Sequence, residues 1–265
     1  MATTQDPRRF GGIARVYSEQ GAQRLADAHV MVVGLGGVGS WAVEALVRSG
    51  IGHLTLVDGD TVALSNTNRQ LHALEGNYGR YKAEALRERM LLINPDAEIK
   101  IRTDFITPEN ADTFFTSELD WVLDCIDDLR GKTILVASAH KAGVNIAVSG
   151  GAAARRDPFK LRCADLAQVK GDPLLSKLRT YLRKEHGFPR GAATGRSPRF
   201  GIPAIYSDEP LHQPSNANCE AIGVPAGTRI GFGSVMTVTA SVGLRLASLV
   251  INGILQDATS KDDYN

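Results

Sequence analysis

The chain has 265 residues, of which 43% are apolar and 22% charged, values that exclude disorder as the main state and suit a globular domain. Thirty basic residues nearly cancel 29 acidic ones, so the net charge of +1 points to no partner. Cysteines 125, 163 and 219 form no CxxC pair, which excludes a four-cysteine zinc site, argues against a disulfide framework and favours a reducing, cytoplasmic setting.

The opening MATTQDPRRFGG lacks the apolar core of an export signal. HVMVVG (29–34) reads as a buried parallel strand, and a helix follows from about Ser40 to Ser49. HLTLVDGD (53–60) is a second strand that ends in acids. Tyr81–Ile93 reads as a helix, stopped by Asn94-Pro95. EIKIRT (98–103), WVLDCIDD (121–128) and VNIAVSGG (144–151) supply three more strands, with a helix over Leu129–Ala142. Such alternation predicts a Rossmann-like, doubly wound, mainly parallel α/β sheet. After Gly151 the pattern weakens to a C-terminal extension. Short strands are expected at 160–167 and 202–207, a basic helix over Pro173–Glu185 and a loop over Phe188–Phe200. An apolar helix closes the chain from Ser234 to Leu255. Arg245 interrupts that last stretch, so a buried helix is expected there rather than a membrane span.

Charge is unevenly spread. From Arg155 to Phe200 there are twelve Lys or Arg and four Asp or Glu, which leaves 18 basic and 25 acidic residues elsewhere. A block of this kind suits a polyanionic partner such as RNA, or else forms a solvated surface. Lys177, Arg179, Arg183 and Lys184 recur at helical spacing, and Arg190, Arg196 and Arg199 follow on the loop.

Gly34, Gly36, Gly37 and Gly39 satisfy GxGxxG between a strand and a helix, where a ligand phosphate or ribose can approach the backbone. Asp58 closes the next strand 19 residues later, where a carboxylate accepts ribose hydroxyls. Three further groups favour ATP over a dinucleotide: Arg69 in SNTNRQ (65–70), Lys82 at a helix start, and Asp127 in DCIDD (124–128). In a doubly wound sheet all three reach the ligand edge. The two cations suit a triphosphate, and Asp127 suits Mg²⁺, which binds through one or two carboxylates plus phosphates. Singly, each has a plainer reading: a loop ion pair, an exposed helix charge, a helix N-cap.

GLGGVG, Asp58, SNTNRQ, Lys82, INP (93–95) and DCIDD together resemble the superfamily of ubiquitin-activating enzymes and the bacterial adenylyltransferases for thiamine and molybdopterin sulfur carriers, across about residues 8 to 156. The resemblance implies one adenylating domain over 1–265, with 8–156 as the nucleotide core and 157–265 facing the substrate. It implies that Asp58 and Asn66 hold the adenosine and ribose side, that Arg69, Gln70 and Lys82 meet the phosphates, and that Asp127 serves the metal. RRFGGIARVY (8–17), SGGAAARRDP (149–158), DLAQVKGDPLLSKLR (165–179), YSDEP (206–210) and GFGSVMTVTASVG (231–243) are similar to one branch, the dehydratases of N6-threonylcarbamoyladenosine in tRNA.

That branch implies tRNA as substrate, a homodimer, a monovalent cation as an aid and a sulfur-transfer protein as a candidate partner, with no membrane. The activity implied is ATP-dependent cyclisation of the threonylcarbamoyl side chain through a carboxyl-adenylate. The alternative is adenylation of a small ubiquitin-like sulfur carrier. Carrier activators reach an N-terminal arginine into the partner subunit's site. Gly11 and Gly12 stand at the nearest positions here, with Arg9 and Arg15 as substitutes. Cys125 and Cys163 read as structural, and Cys219 is the only thiol open to thioester chemistry, although no residue around it would clearly lower its pKa. The six histidines show no metal-ligand spacing.

Overall fold

Four apolar runs of the first 150 residues become parallel strands because both of their faces are covered, and the alternating EIKIR segment adds a parallel edge strand with one face open. The computed structural model describes residues 8–191, 198–212 and 232–256. In chain order the elements are α1 (Gly11–Asp27), β1 (His29–Val33), α2 (Gly39–Arg48), β2 (His53–Val57), α3 (Lys82–Ile93), β3 (Glu98–Arg102), β4 (Trp121–Asp124), α4 (Leu129–Ala142), β5 (Asn145–Ser149), β6 (Leu161–Asp165), α5 (Pro173–Glu185), β7 (Pro203–Ser207) and α6 (Met236–Leu255). They build one seven-stranded sheet in the order β3-β2-β1-β4-β5-β7-β6. All neighbours are parallel except β6, which runs antiparallel to β7 at the edge.

Val30, Val32, Leu54, Leu56 and Leu123 point to one face, under α2 and α6. Met31, Val33, Val57, Val122 and Val148 point to the other, under α4 and α5. α6 is long and apolar enough to cross a bilayer. Its Val238, Val242, Leu246 and Val250 are instead buried in the protein. Gly243 brings α6 close to α2: a Cβ there would lie 2.3 Å from the Val38 carbonyl oxygen. Arg245 stays on the exposed side and donates to the Leu161 carbonyl at 2.8 Å.

α1 is an element that the sequence pattern does not predict. It buries only Gly21 and Leu25 and breaks at Ser18, whose φ is +68°; so short a buried stripe gives little helical periodicity.

The connections from β1 to β2 and from β4 to β5 leave in opposite directions, so β1 and β4 flank the crevice at which such sheets bind ligands. Gly39 closes the turn above it. A Cβ at this position would lie 1.8 Å from the Gly34 carbonyl oxygen. Gly39→Ala is therefore expected to lower the thermal midpoint by roughly 5 °C or more. Gly131→Ala, whose Cβ meets nothing nearer than 3.5 Å, is expected to leave it unchanged. Thermal unfolding of the two variants checks this.

Candidate functional site

The C-terminal ends of β1, β2, β4 and β5 open onto a cavity of about 830 Å³. The glycines divide their work there. Gly34 has φ +87°, and a Cβ on it would lie 2.8 Å from the Cys125 carbonyl carbon, so packing demands a glycine. Gly36 and Gly37 line the cavity itself. Gly39 does not: it lets α2 begin directly over the turn.

Asp58 ends β2 and is buried. Its Oδ2 accepts the Leu35 N–H at 2.7 Å and its Oδ1 the Asp60 N–H at 2.9 Å. Burial pushes its carboxyl above the ordinary range, opposed by Lys82 and the two amides. Lys82 opens α3 with its side chain also buried. Its Nζ lies 2.8 Å from Asp60 Oδ2 and 3.8 Å from Asp58 Oδ1, and its backbone N–H donates to the Asp60 carbonyl at 3.1 Å. Asp60 is thus a site residue that the sequence reading passed over, although it sits in the same Asp-Gly-Asp run.

Asn66 closes a 3₁₀ turn and accepts the Ala63 N–H at 3.0 Å. Arg69 donates to the Ser65 carbonyl at 2.8 Å and to Asn68 Oδ1 at 3.1 Å, beside Gly37. Gln70 is buried on the cavity wall, and its Oε1 has no hydrogen-bond partner among the described residues.

At the end of β4 the three acids of DCIDD take different roles. Asp124 is fully buried, paired with the equally buried Lys132 at 2.7 Å, and its Oδ1 accepts the Ile126 N–H at 3.1 Å. Burial pushes Asp124 up in pKa and Lys132 opposes it. Asp128 is the N-cap of α4, accepting the Gly131 N–H at 2.8 Å. Asp127 is left exposed on the cavity wall. The helix-cap alternative therefore falls to its neighbour. Among the described residues no group of three or more His, Cys, Asp or Glu has metal-binding geometry; a cation here needs ligand phosphates to complete its shell.

Of the predicted nucleotide set, Gly34, Gly36, Gly37, Asp58, Asn66, Arg69, Gln70, Lys82 and Asp127 share this one cavity. Beyond β4 the wall continues through Ser149, Gly150, Gly151 and Leu174. Asp172 braces it, accepting the Gly151 N–H and the Leu175 N–H, both at 2.9 Å. Glu209 of YSDEP braces the next turn through the amides of Arg156 and Asp157 at 2.9 and 3.0 Å. Burial works against its charge, but these amides and His212 hold its pKa down to about 2.

The four cations of α5 do not act together. Lys177 and Lys184 are exposed. Arg179 is drawn inward to the Leu166 carbonyl at 3.3 Å. Arg183 donates to the Pro189 carbonyl at 3.0 Å and lies over the Phe200 ring at 5.3 Å. Arg190 and Arg199 are exposed. Arg196 and Cys219 lie outside the described residues. Arg9 donates to the Ile93 carbonyl at 2.6 Å, which ties it to the end of α3. Burial, reinforced by Asp124, pushes the Cys125 thiol well above its usual pKa, and so keeps it from acting as a nucleophile.

Residues 11–262 match the ThiF family. The chain belongs to the ThiF family. Among its relatives is the tRNA threonylcarbamoyladenosine dehydratase of Haemophilus influenzae, 40% identical over 249 residues, 94% of each chain. A crystal structure of the Escherichia coli tRNA N6-threonylcarbamoyladenosine dehydratase in complex with ATP superimposes with a TM-score of 0.83 at 38% identity, covering 96% of this chain and 97% of that one. Likeness to the molybdopterin-synthase adenylyltransferase of Salmonella typhimurium is 38% but spans only 53% of this chain and 55% of that protein. The predicted α/β sheet and the predicted family both hold.

His72 lies beneath this site, fully buried, with neither ring nitrogen hydrogen-bonded among the described residues. Burial, and then the nearby Lys82 charge, lower its pKa from 6.5 to about 4. Between those values the unfolded chain binds a proton that the folded chain refuses. The contribution of His72 to stability is therefore full above pH 6.5 and lost as pH falls toward 4. His72→Leu is expected to flatten the stability profile across that window in urea unfolding; parallel profiles would show that His72 titrates normally.

Proposed function

We propose that the chain uses ATP and Mg²⁺ to dehydrate N6-threonylcarbamoyladenosine in tRNA, closing its side chain into a ring. The observation that carries this is the convergence of Arg69, Lys82 and the free Asp127 carboxylate on the glycine-lined cavity, in a chain alike over 94% of its length to a tRNA threonylcarbamoyladenosine dehydratase. Mg²⁺ bound at Asp127 would neutralise phosphate charge.

The side-chain carboxylate is a poor electrophile, because hydroxide would have to leave. Attack of one of its oxygens on the α-phosphorus gives an acyl-adenylate and releases pyrophosphate. Arg69 and Lys82 hold the charge that leaves. Asp58 and Asn66 orient the ribose, and Gly36 and Gly37 let the phosphates approach the backbone. The carbamoyl group of the same side chain then attacks the activated carbonyl and expels AMP, for a net loss of one water. Both reacting groups sit on one side chain, so proximity serves in place of an enzyme nucleophile, in keeping with the inert Cys125. A cytoplasmic homodimer, assisted by a monovalent cation and working beside a sulfur-transfer protein, completes the proposal on the ground of family likeness.

Incubation of the chain with ATP, Mg²⁺ and tRNA bearing the nucleoside is expected to yield AMP and a nucleoside lighter by one water. Asp127→Ala is expected to reduce kcat by about 100-fold or more with an unchanged thermal midpoint, because its carboxylate is exposed and braces nothing. An unchanged nucleoside mass would refute the reading. AMP release that depends on a carrier-protein C-terminus and not on tRNA would favour carrier adenylation instead.

A further inference from the structure

α5 begins at the cavity. Leu174, in its first turn, lines the wall, and the helix leads away from there for 13 residues. At 3.6 residues per turn, Leu174, Lys177, Tyr181 and Lys184 fall within an arc of about 80°. Leu175, Leu178 and Leu182 form the buried side. Lys177, Tyr181 and Lys184 are exposed, the tyrosine keeping 42% of its surface in solvent. Neither lysine has an ion-pair partner among the described residues. Arg179 and Arg183, by contrast, are spent on the Leu166 carbonyl, the Pro189 carbonyl and the Phe200 ring. The helix sorts its cations: two hold the fold, and two face outward on either side of an aromatic ring.

We infer that the Lys177–Tyr181–Lys184 stripe is the landing surface for the unpaired RNA strand leading out of the cavity, with the lysines on phosphates and the Tyr181 ring stacked on a base. The inference rests on the tRNA reading. A nucleoside must leave its stack to enter a cavity, and its neighbours are then left with open faces. Single strands are held by positive charge along the backbone and by aromatic rings under the bases. A duplex hides those faces and has no use for the ring. Lys177 and Lys184 stand about 10 Å apart along the helix axis, with Tyr181 between them. The stripe starts one turn from Leu174, so a strand whose modified nucleoside occupies the cavity meets it without crossing other structure on α5.

The test is fluorescence anisotropy of a stem–loop RNA carrying the modified nucleoside in its loop, titrated with the full chain at several salt concentrations. Tyr181→Ala is expected to weaken binding at least about fivefold and to leave the salt slope unchanged. Tyr181→Phe is expected to bind like the parent chain, since the ring is what stacks. The double variant Lys177→Ala, Lys184→Ala is expected to lower the slope of log K against log salt by about 1.4. ATP affinity, expected to be unchanged in all three, reports that the variants are folded. Tyr181→Ala binding as tightly as the parent, or Tyr181→Phe losing as much as Tyr181→Ala, overturns the inference while parent-chain turnover of tRNA leaves the proposed function standing. Failure of the parent chain itself to bind the RNA removes both.

Discussion

A charged ammonium held out of water needs carboxylates around it. Lys82 meets that need between Asp60 at 2.8 Å and Asp58 at 3.8 Å, and the site is arranged around that cluster. Asp58 cannot move: two backbone amides hold it, one of them at the start of the glycine loop. Asp60 is tied to Lys82 twice, through its side chain and through its carbonyl. The side chain of Asp60 is 57% exposed, so of the two partners of Lys82 it is the one that an incoming phosphate would displace at the smaller cost. His72 packs nearby in neutral form and adds no competing charge.

A second constraint works from the β4 side. The buried Asp124–Lys132 pair and the Ile126 amide fix the turn after the strand. Gly34 lets the backbone of Cys125 lie directly against the glycine loop. Buried pairs of this sort contribute geometry more than stability. Here the geometry leaves Asp127 as the acid of DCIDD that faces the cavity without capping a helix. The side proposed to hold the triphosphate (β1 and β2) and the side proposed to position a cation (β4) therefore meet at the switch point of the sheet.

Much of this was legible in the sequence, for physical reasons. Strands buried on both faces leave continuous apolar runs such as HVMVV and WVL, and the glycine loop is marked by Gly34 and Gly39, where a side chain would strike backbone. The placement of Asp58, Arg69, Lys82 and Asp127 on one edge follows from strand direction alone. Other features left no mark. α1 buries too little to show a period. The antiparallel sense of β6 is set by its pairing with β7, which composition does not encode. Asp60 looks like any loop acid until Lys82 is seen beside it. The inward turn of Arg179 and Arg183 depends on Leu166, Pro189 and Phe200, none of them at helical spacing from α5. A count of charges in the basic block therefore overstates how many reach the surface.

The central claim is that this site makes an acid reactive by joining it to AMP. The direct measurement is mass spectrometry of the AMP formed when the carboxylate of the threonylcarbamoyl side chain carries ¹⁸O. The account predicts AMP bearing one labelled oxygen from the substrate. Formation of ADP in place of AMP, with the label found in inorganic phosphate, would contradict it, because the carboxylate would then have attacked the γ-phosphorus and not the α-phosphorus.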